Sequence, residues 1–257
     1  MQKTIQDIAL VMVAPKKGIL AADESTPTIK KRFDSVGVDS TEESRRDYRE
    51  MLFAAPGIEN YISGVIMFDE TLRQSAKDGV FISKLLSDKG IFPGIKVDQG
   101  TEFFSGSEVE KYTKGLDGLD GRLKEYYELG ARFAKWRATY SVGDTLPSEE
   151  CIERNAKDLA DYAFVCQQNN IVPIVEPEVL MDGNHTIEKC YEVTKSVLER
   201  VFAKLNEKGV AIDGIILKPN MVISGQDSGV IDSSEKVAEM TIKCFHEVLP
   251  DDLPGIT

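Results

Sequence analysis

The chain has 257 residues, of which 42% are hydrophobic and 29% charged, so it has the composition of an ordinary globular protein with room for one large core. Its net charge of −12 argues against a nucleic-acid or membrane-surface partner, because both surfaces repel an acidic protein. No apolar run approaches the roughly 18 residues of a transmembrane helix, and the N-terminal stretch lacks the uninterrupted apolar core of a signal peptide.

Six short apolar runs follow one another along the chain, and each ends in polar residues. Runs of this length, closed by turn residues, are typical of strands buried on both faces of a parallel sheet. The six predicted strands lie within residues 18–25, 62–70, 92–100, 131–139, 171–178 and 213–220.

Amphipathic segments separate the predicted strands and are expected to be helices. The clearest are residues 41–55, 148–170, 186–209 and 233–250. Ser148 is a good N-cap, and Gly209 is a good helix terminator. Thr41 is followed three residues later by Ser44 rather than by Glu or Gln, so no strict capping box is expected there.

Strand followed by helix, six times over, predicts a parallel sheet with crossover helices. An open doubly wound sheet and a closed (β/α)8 (TIM) barrel both fit this order. The first strand lacks a GxGxxG motif, which weighs against a dinucleotide-binding fold. The chain shows no linker and no low-complexity tract, so one domain over residues 1–257 is expected.

Charged residues recur where the predicted strands end, which is where catalytic groups lie in a βα barrel. Five of the six strands carry them: Asp23 and Glu24, Lys96 and Asp98, Lys135 and Arg137, Glu176 and Glu178, and Lys218. Charges are rarely buried unless they are paired, so this recurrence predicts one mixed-charge pocket.

The chemistry of such a pocket fits an anionic, phosphorylated substrate and proton transfer. Residues two apart on a strand point the same way, so the paired charges on three strands would ring one pocket. A lysine that is partly desolvated among other cations has a lowered pKa and can attack a ketone to form a Schiff base. Lys218 is the candidate nucleophile, and neighbouring carboxylates would shuttle protons.

The remaining reactive residue types point to no metal site. Only two histidines are present, His185 and His246, and both are interpreted as surface or helix-end residues. The four cysteines show no CxxC pairing, which favours a reducing, cytoplasmic compartment, and Cys166 is expected in the core.

Five motifs, GILAADES (18–25), GIKVDQG (94–100), FAKWR (133–137), IVEPE (174–178) and LKPNM (217–221), resemble those of the class I fructose-1,6-bisphosphate aldolases in order and spacing. The likeness runs along nearly the whole chain. It implies a TIM barrel, a homotetramer and a metal-independent and cofactor-free cleavage of fructose 1,6-bisphosphate, a phosphorylated sugar, into dihydroxyacetone phosphate and glyceraldehyde 3-phosphate.

The resemblance also implies a role for individual residues. Lys218 would form the Schiff base, with Glu176 as its general acid and base and Glu178 holding Glu176 in place. Lys135 would assist at the carbinolamine stage, and Asp23 would take the proton of the C4 hydroxyl. The implied substrate contacts are Lys96, Arg137, Ser25, Thr28 and Arg45.

Two departures from the family pattern stand out. Pro27 and Thr28 replace a glycine and a serine; Pro27 removes an N–H donor, whereas Thr28 keeps a hydroxyl. Residues 251–257 resemble the start of a seventh strand, after which the family continues with a phosphate loop and an eighth strand. We therefore expect a C-terminally truncated barrel of about six βα units with little or no aldolase activity.

Two other functions fit part of this pattern. One is a different Schiff-base enzyme, such as a transaldolase or a type I dehydroquinase, although the remaining motifs do not match in spacing. The other is a non-catalytic aldolase-like protein that binds a sugar phosphate or serves as a scaffold. The sequence does not distinguish fructose 1,6-bisphosphate from fructose 1-phosphate as the preferred substrate.

Overall fold

A computed structural model describes residues 3–257 of the chain and contains one six-stranded parallel sheet and a separate two-stranded hairpin. The strands are β1 (Gly18–Ala22), β2 (Ile62–Met67), β3 (Phe92–Lys96), β4 (Thr101–Phe103), β5 (Lys111–Thr113), β6 (Phe133–Tyr140), β7 (Val172–Val179) and β8 (Ile216–Leu217). The parallel sheet has the order β1-β2-β3-β6-β7-β8, so consecutive strands of the sheet are neighbours and the sheet curls as part of a barrel.

Helices flank these strands along the chain, and most of them cover the convex face of the sheet. They are α1 (Ile5–Met12), α2 (Thr26–Ser35), α3 (Glu42–Phe53), α4 (Asp69–Arg73), α5 (Ile82–Asp88), α6 (Leu119–Glu128), α7 (Glu149–Gln168), α8 (Ile187–Lys208) and α9 (Ser234–Val248). Side chains of the convex face, such as Val65, Ile95, Trp136 and Val175, join residues of α7 and α8 in the main hydrophobic core. Burial of this apolar area is the main force that holds helices and sheet together.

The six predicted strands are confirmed; four lie within the predicted range, and β6 and β7 each extend one residue beyond it. The structure adds an antiparallel hairpin, β4–β5, inside the segment that follows β3. Near the C-terminus, Ile256 forms a parallel bridge with Leu217, so the expected start of a seventh strand beside β8 is confirmed. The curled parallel sheet thus matches the expected six βα units of a TIM-type fold.

Local interactions explain where two of the helices begin. Ser148 caps α7 by accepting a hydrogen bond from the backbone N–H of Cys151. At α3, the sequence expectation was wrong: Thr41 and Ser44 do form a capping box, in which each side chain accepts a bond from the other residue's N–H. The Ser44 side chain is long enough to accept the Thr41 N–H, a bond that Glu or Gln usually accepts at this position.

The concave face of the sheet is apolar near the amino ends of the strands. Ile66, Phe133, Ile174 and Ile216 point to this face and pack with Ile8, Ala9 and Met12 of α1, so that the helix fills the floor of the half-barrel. Gly94 is required here because a Cβ atom would lie 2.1 Å from the Phe133 ring. The N-terminal helix and this ring therefore form the base on which the charged residues sit.

Candidate active site

The predicted charged side chains converge on the concave face, next to the apolar floor and nearer the carboxyl ends of the strands. Strand register brings them there: Lys96 of β3 pairs with Lys135 of β6, and Arg137 of β6 pairs with Glu176 of β7. The backbone N–H of Lys218, just after β8, donates to the carbonyl of Val175. Because neighbouring strands are in step, side chains from five strands meet at the carboxyl end of the sheet, as expected for a barrel enzyme.

Four of these side chains form a row of alternating charge across the site. The Lys135 Nζ atom lies 2.7 Å from Asp23 Oδ2 and 3.5 Å from Glu176 Oε2. The other oxygen of Glu176, Oε1, lies 2.5 Å from the Lys218 Nζ atom. The row thus runs Asp23, Lys135, Glu176, Lys218, and its formal charges cancel.

Burial differs along this row in a way that matters for reactivity. The side chains of Asp23, Lys135 and Glu176 are at most 12% exposed, whereas that of Lys218 is 35% exposed. Burial alone would lower the pKa of Lys135, but the carboxylates of Glu176 and Asp23 outweigh it and raise that pKa. Lys135 is therefore a fixed cation, and Lys218 is the amine of the row that an incoming molecule can reach.

Two further ion pairs flank the row. Lys96 is paired with Asp98, with 2.5 Å between Nζ and Oδ1, and Arg137 is paired with Glu178. Glu178 thus contacts Arg137, the strand neighbour of Glu176. These pairs place two cations beside the row where an anionic group would contact them.

The loop after β1 presents two hydroxyl groups at the start of α2. Ser25 occupies the N-cap position and Pro27 the first turn, a position where its missing N–H costs nothing. The Ser25 and Thr28 hydroxyls are 3.0 Å apart. Pro27 is thus compatible with the helix, and both predicted hydroxyls lie on one turn.

Arg45 does not join the strand-end cluster directly. Its guanidinium is bound to the carboxylate of Glu70, with a 2.8 Å bond from Nε, and to the carbonyl of Ser40. Behind it lies Arg49, which is fully buried and donates to the backbone carbonyl of Glu24 at 2.7 Å. Arg49 was missed from sequence because an arginine in an amphipathic helix is normally a solvated residue.

Asn220 is a second residue whose role the sequence did not reveal, since it was interpreted only as a strand breaker. Its side chain accepts a bond from the Val179 N–H at 3.1 Å and donates to the Thr194 hydroxyl at 3.0 Å. A Pro-Asn pair directly after an apolar strand is a signal for such a side-chain contact, because the proline interrupts the backbone ladder.

The cysteines and histidines take no part in the row. All four cysteines are free and buried, and the prediction that Cys166 lies in the core is confirmed. His185 lies directly before the N-cap of α8, which agrees with its interpretation as a helix-end residue, and it is buried at 7% exposure beside the loop around Gly183 and Gly225. Within residues 3–257, no three His, Cys, Asp or Glu side chains are grouped as a metal site would require.

Cavity size alone would not have located this site. A cavity of about 680 Å³ lies between the β4–β5 hairpin and α7, lined by residues such as Tyr112, Lys114 and Arg154. None of the charged row belongs to its lining. The row is recognised instead by its convergence at the strand ends and by its charge pattern.

Comparison with known proteins identifies the family and the fold. The family model for fructose-bisphosphate aldolase class-I matches residues 4–257. The chain belongs to the class I fructose-bisphosphate aldolase family. Its reaction class is therefore that of a lyase that cleaves fructose bisphosphate, and the resemblance seen in the five motifs is confirmed.

Individual aldolases of this family are similar along nearly the full chain. A protein named probable fructose-bisphosphate aldolase class 1, from Xanthomonas campestris pv. campestris, is 54% identical over 252 residues, which are 98% of this chain and 75% of that protein. Fructose-bisphosphate aldolase 5, cytosolic, from Arabidopsis thaliana is 50% identical over 96% of this chain and 69% of its own length.

A solved aldolase structure shows the same fold. The fructose-bisphosphate aldolase of Plasmodium falciparum, crystallised in complex with TRAP and a small-molecule inhibitor, superposes with a TM-score of 0.96 at 46% identity, covering 98% of this chain and 74% of that one. No helix in residues 3–257 of the present aldolase is long and apolar enough to cross a membrane.

Proposed function

We propose that Lys218 forms a Schiff base with the ketone carbon of fructose bisphosphate and that Glu176 transfers the protons of that step. The observation that carries this proposal is the contact between Lys218 Nζ and Glu176 Oε1, in which a reachable amine touches a buried carboxylate. A nucleophile within hydrogen-bond reach of its proton acceptor is the arrangement that such catalysis requires.

Imine formation follows from this contact. The Lys218 ammonium passes a proton to Glu176, and the free amine adds to C2 of the ketose; a second proton moves from its nitrogen to the C2 oxygen, which gives a carbinolamine. Glu176 then returns its proton to the C2 hydroxyl, which leaves as water, and the protonated C2–N double bond forms. The fixed charge of Lys135 beside Glu176 stabilises the carboxylate that is present before the first transfer and restored by the last.

Bond cleavage is assigned to the other end of the row. Asp23 accepts the proton of the C4 hydroxyl, the C3–C4 bond breaks, and its electron pair flows into the protonated imine. Glyceraldehyde 3-phosphate leaves and an enamine remains on Lys218. Protonation of that enamine at C3 and hydrolysis of the imine release dihydroxyacetone phosphate and restore the free amine.

The two phosphates are proposed to contact the groups that flank the row. The donors available there are the cations of Lys96 and Arg137 and the hydroxyls of Ser25 and Thr28, and these are group types that commonly bind phosphate. Lys96 and Arg137 would exchange the carboxylates of Asp98 and Glu178 for phosphate oxygens. Arg45 is assigned the outermost position, because Glu70 already binds its guanidinium.

Reductive trapping tests the assignment of the nucleophile. The chain is incubated with dihydroxyacetone phosphate and sodium cyanoborohydride, digested, and searched for modified lysines by mass spectrometry. We expect the adduct on Lys218 and its loss in Lys218→Met. Lys84→Met, a surface lysine on α5, is the matched control and should label like the parent. An adduct that forms on another lysine, or on none, refutes the assignment.

We further infer one catalytic domain over residues 1–257, a cytosolic location and assembly into homotetramers. Four free, buried thiols and the similarity to a cytosolic Arabidopsis aldolase support the location. Light scattering after gel filtration tests the assembly, with a mass near 114 kDa, four times 28.5 kDa, as the expected result. A mass of one chain at micromolar concentration contradicts the tetramer.

We also propose that turnover of fructose 1,6-bisphosphate by the 257-residue chain is slow. The Lys218 side chain is 35% exposed, so its side of the row is open to water. An open site loses the electrostatic advantage of water exclusion. A kcat within the usual 1–10³ s⁻¹ range of enzymes refutes this proposal.

A further inference from the structure

The ladder between β7 and β8 is interrupted next to the catalytic row. Regular pairing ends at Val175 and Leu217, after which the Lys218 N–H still donates to the Val175 carbonyl. The next donor on β7 would be residue 177, but Pro177 has no N–H. The ladder therefore lacks its next bond from β7 to the segment that follows Lys218.

The side chain of Asn220 replaces the missing ladder. Val179, one donor further along β7, gives its N–H to Asn220 Oδ1 at 3.1 Å, where a regular strand would offer a backbone carbonyl. The Asn220 Nδ2 atom donates to the Thr194 hydroxyl on α8 and to the Met221 carbonyl, both at 3.0 Å. One amide thus joins the end of β7, the turn after β8 and helix α8.

The Asn220 amide holds the segment that directly follows Lys218. Lys218 is anchored through its N–H at Val175, and the next backbone anchor is Val222, whose N–H donates to the Thr241 hydroxyl. Between these two points, the hydrogen bonds that link residues 219–221 to another element all come from the Asn220 side chain. Thr194 is 1% exposed, so its hydroxyl is a fixed partner.

We propose that Asn220 is a positioning residue for the Lys218 amine. By clamping the turn to β7 and α8, it keeps the Cα of Lys218 in the place from which the four-carbon side chain reaches Glu176. The inference rests on the proposed function of Lys218 as the Schiff-base nucleophile. It assigns Asn220 no contact with substrate.

The test measures the rate of Schiff-base trapping with dihydroxyacetone phosphate as a function of ketone concentration. Asn220→Ala removes every bond of the amide, and we expect the saturating rate to fall by about 100-fold, which is the order expected for a displacement of ~1 Å. Asn220→Asp keeps the acceptor for Val179 and loses the bonds that Nδ2 donates, so a fall of about tenfold is expected. The half-saturating ketone concentration should change less than the rate, because no substrate contact is lost.

Two further variants separate positioning from general damage. Met221→Ala alters the neighbouring, 64% exposed side chain and should leave the trapping rate within twofold of the parent. Thr194→Val removes only the hydroxyl that receives the Nδ2 bond, and the double variant with Asn220→Ala should react no more slowly than Asn220→Ala alone, because both changes remove the same bond. If Asn220→Ala does not fold, Asn220→Asp and Thr194→Val decide the question.

The outcomes separate this inference from the function on which it rests. A parent adduct on Lys218, combined with folded Asn220 variants that react at the parent rate, overturns the role of Asn220 alone. The role is equally overturned if Met221→Ala is as slow as Asn220→Ala, or if the double variant is slowed by the full product of the two single effects. Failure of the parent to label Lys218 overturns the proposed nucleophile and the positioning role together.

Discussion

Replacing Gly94 with alanine should destabilise the fold through one contact. The added Cβ would lie 2.1 Å from Cζ of the Phe133 ring and 2.3 and 2.5 Å from its Cε atoms. Carbon atoms normally sit 3.5–4.0 Å apart, so the ring or the strand must move by about 1.5 Å. Phe133 is fully buried against α1 and the floor of the half-barrel, and it cannot rotate freely out of the way.

The cost follows from what overpacking does in a dense core. Such insertions lower the free energy of unfolding by about 1–3 kcal/mol, and the short distances here put Gly94→Ala at the upper end. For a chain of this size, ~3 kcal/mol corresponds to a fall in Tm of about 6 °C. Gly64→Ala, with a nearest ring atom at 2.9 Å, requires a shift of only about 0.6 Å and should cost less.

Urea unfolding, followed by the fluorescence of the single tryptophan Trp136, measures these effects. Gly121→Ala is the matched control, because its Cβ would meet nothing within 4 Å on helix α6, and there alanine should stabilise by about 0.5–1 kcal/mol. Phe133→Leu in the Gly94→Ala background should recover at least 1 kcal/mol relative to the sum of the single changes. Equal stability of parent and Gly94→Ala, or strict additivity of the pair, refutes the steric argument.

Three other changes test the electrostatics and the core. Lys135→Met should lower the free energy of unfolding by about 3 kcal/mol, because two buried carboxylates lose their cation. Since folding raises the pKa of Lys135, the difference in stability between parent and variant should be constant below the ordinary lysine pKa of 10.5 and shrink as the pH rises past that value. A difference in stability that does not change with pH contradicts this prediction. Arg49→Met should lower the free energy of unfolding by about 2 kcal/mol in the same urea assay, whereas Arg46→Met, at a partly exposed position of α3, should stay within about 0.5 kcal/mol. Equal costs would contradict a structural role for the buried Arg49 guanidinium. Burial raises the pKa of the Cys151 thiol to about 12, so iodoacetamide at neutral pH should label this residue only after unfolding, and rapid labelling of the native protein contradicts its burial.

The sequence predicted the sheet well because each strand is a short apolar run closed by charge, and this pattern depends on local chemistry. It predicted the strand-end charges for the same reason: residues two apart share a face, so Lys135 and Glu176 had to point into one region. The order within the row could not be predicted, because it depends on the register between strands. The sequence argument surrounded Lys218 with cations, whereas the structure gives it Glu176 as its direct partner.

Other features were invisible to local patterns because they depend on distant packing. The apolar stripe of α1 predicts a helix, but nothing in it shows that Ile8 and Met12 fill the floor beneath the active site. Arg49 resembles any helical arginine until α3 is docked against the loop that holds Glu24. The use of Asn220 in place of a ladder bond becomes visible only when β7 and β8 lie side by side.

The hydrocarbon floor beneath the charged row closes the amino end of the half-barrel. Ile66, Phe133 and Ile174, covered by α1, leave no passage at that end, so sugar phosphates are expected to enter and leave on the side of the charged row. A product that lingers therefore blocks the next ketose, and simple competition between the two is the expected pattern of product inhibition. Drug-like molecules that plug this entrance would act in the same manner, without reaching the lysine at all.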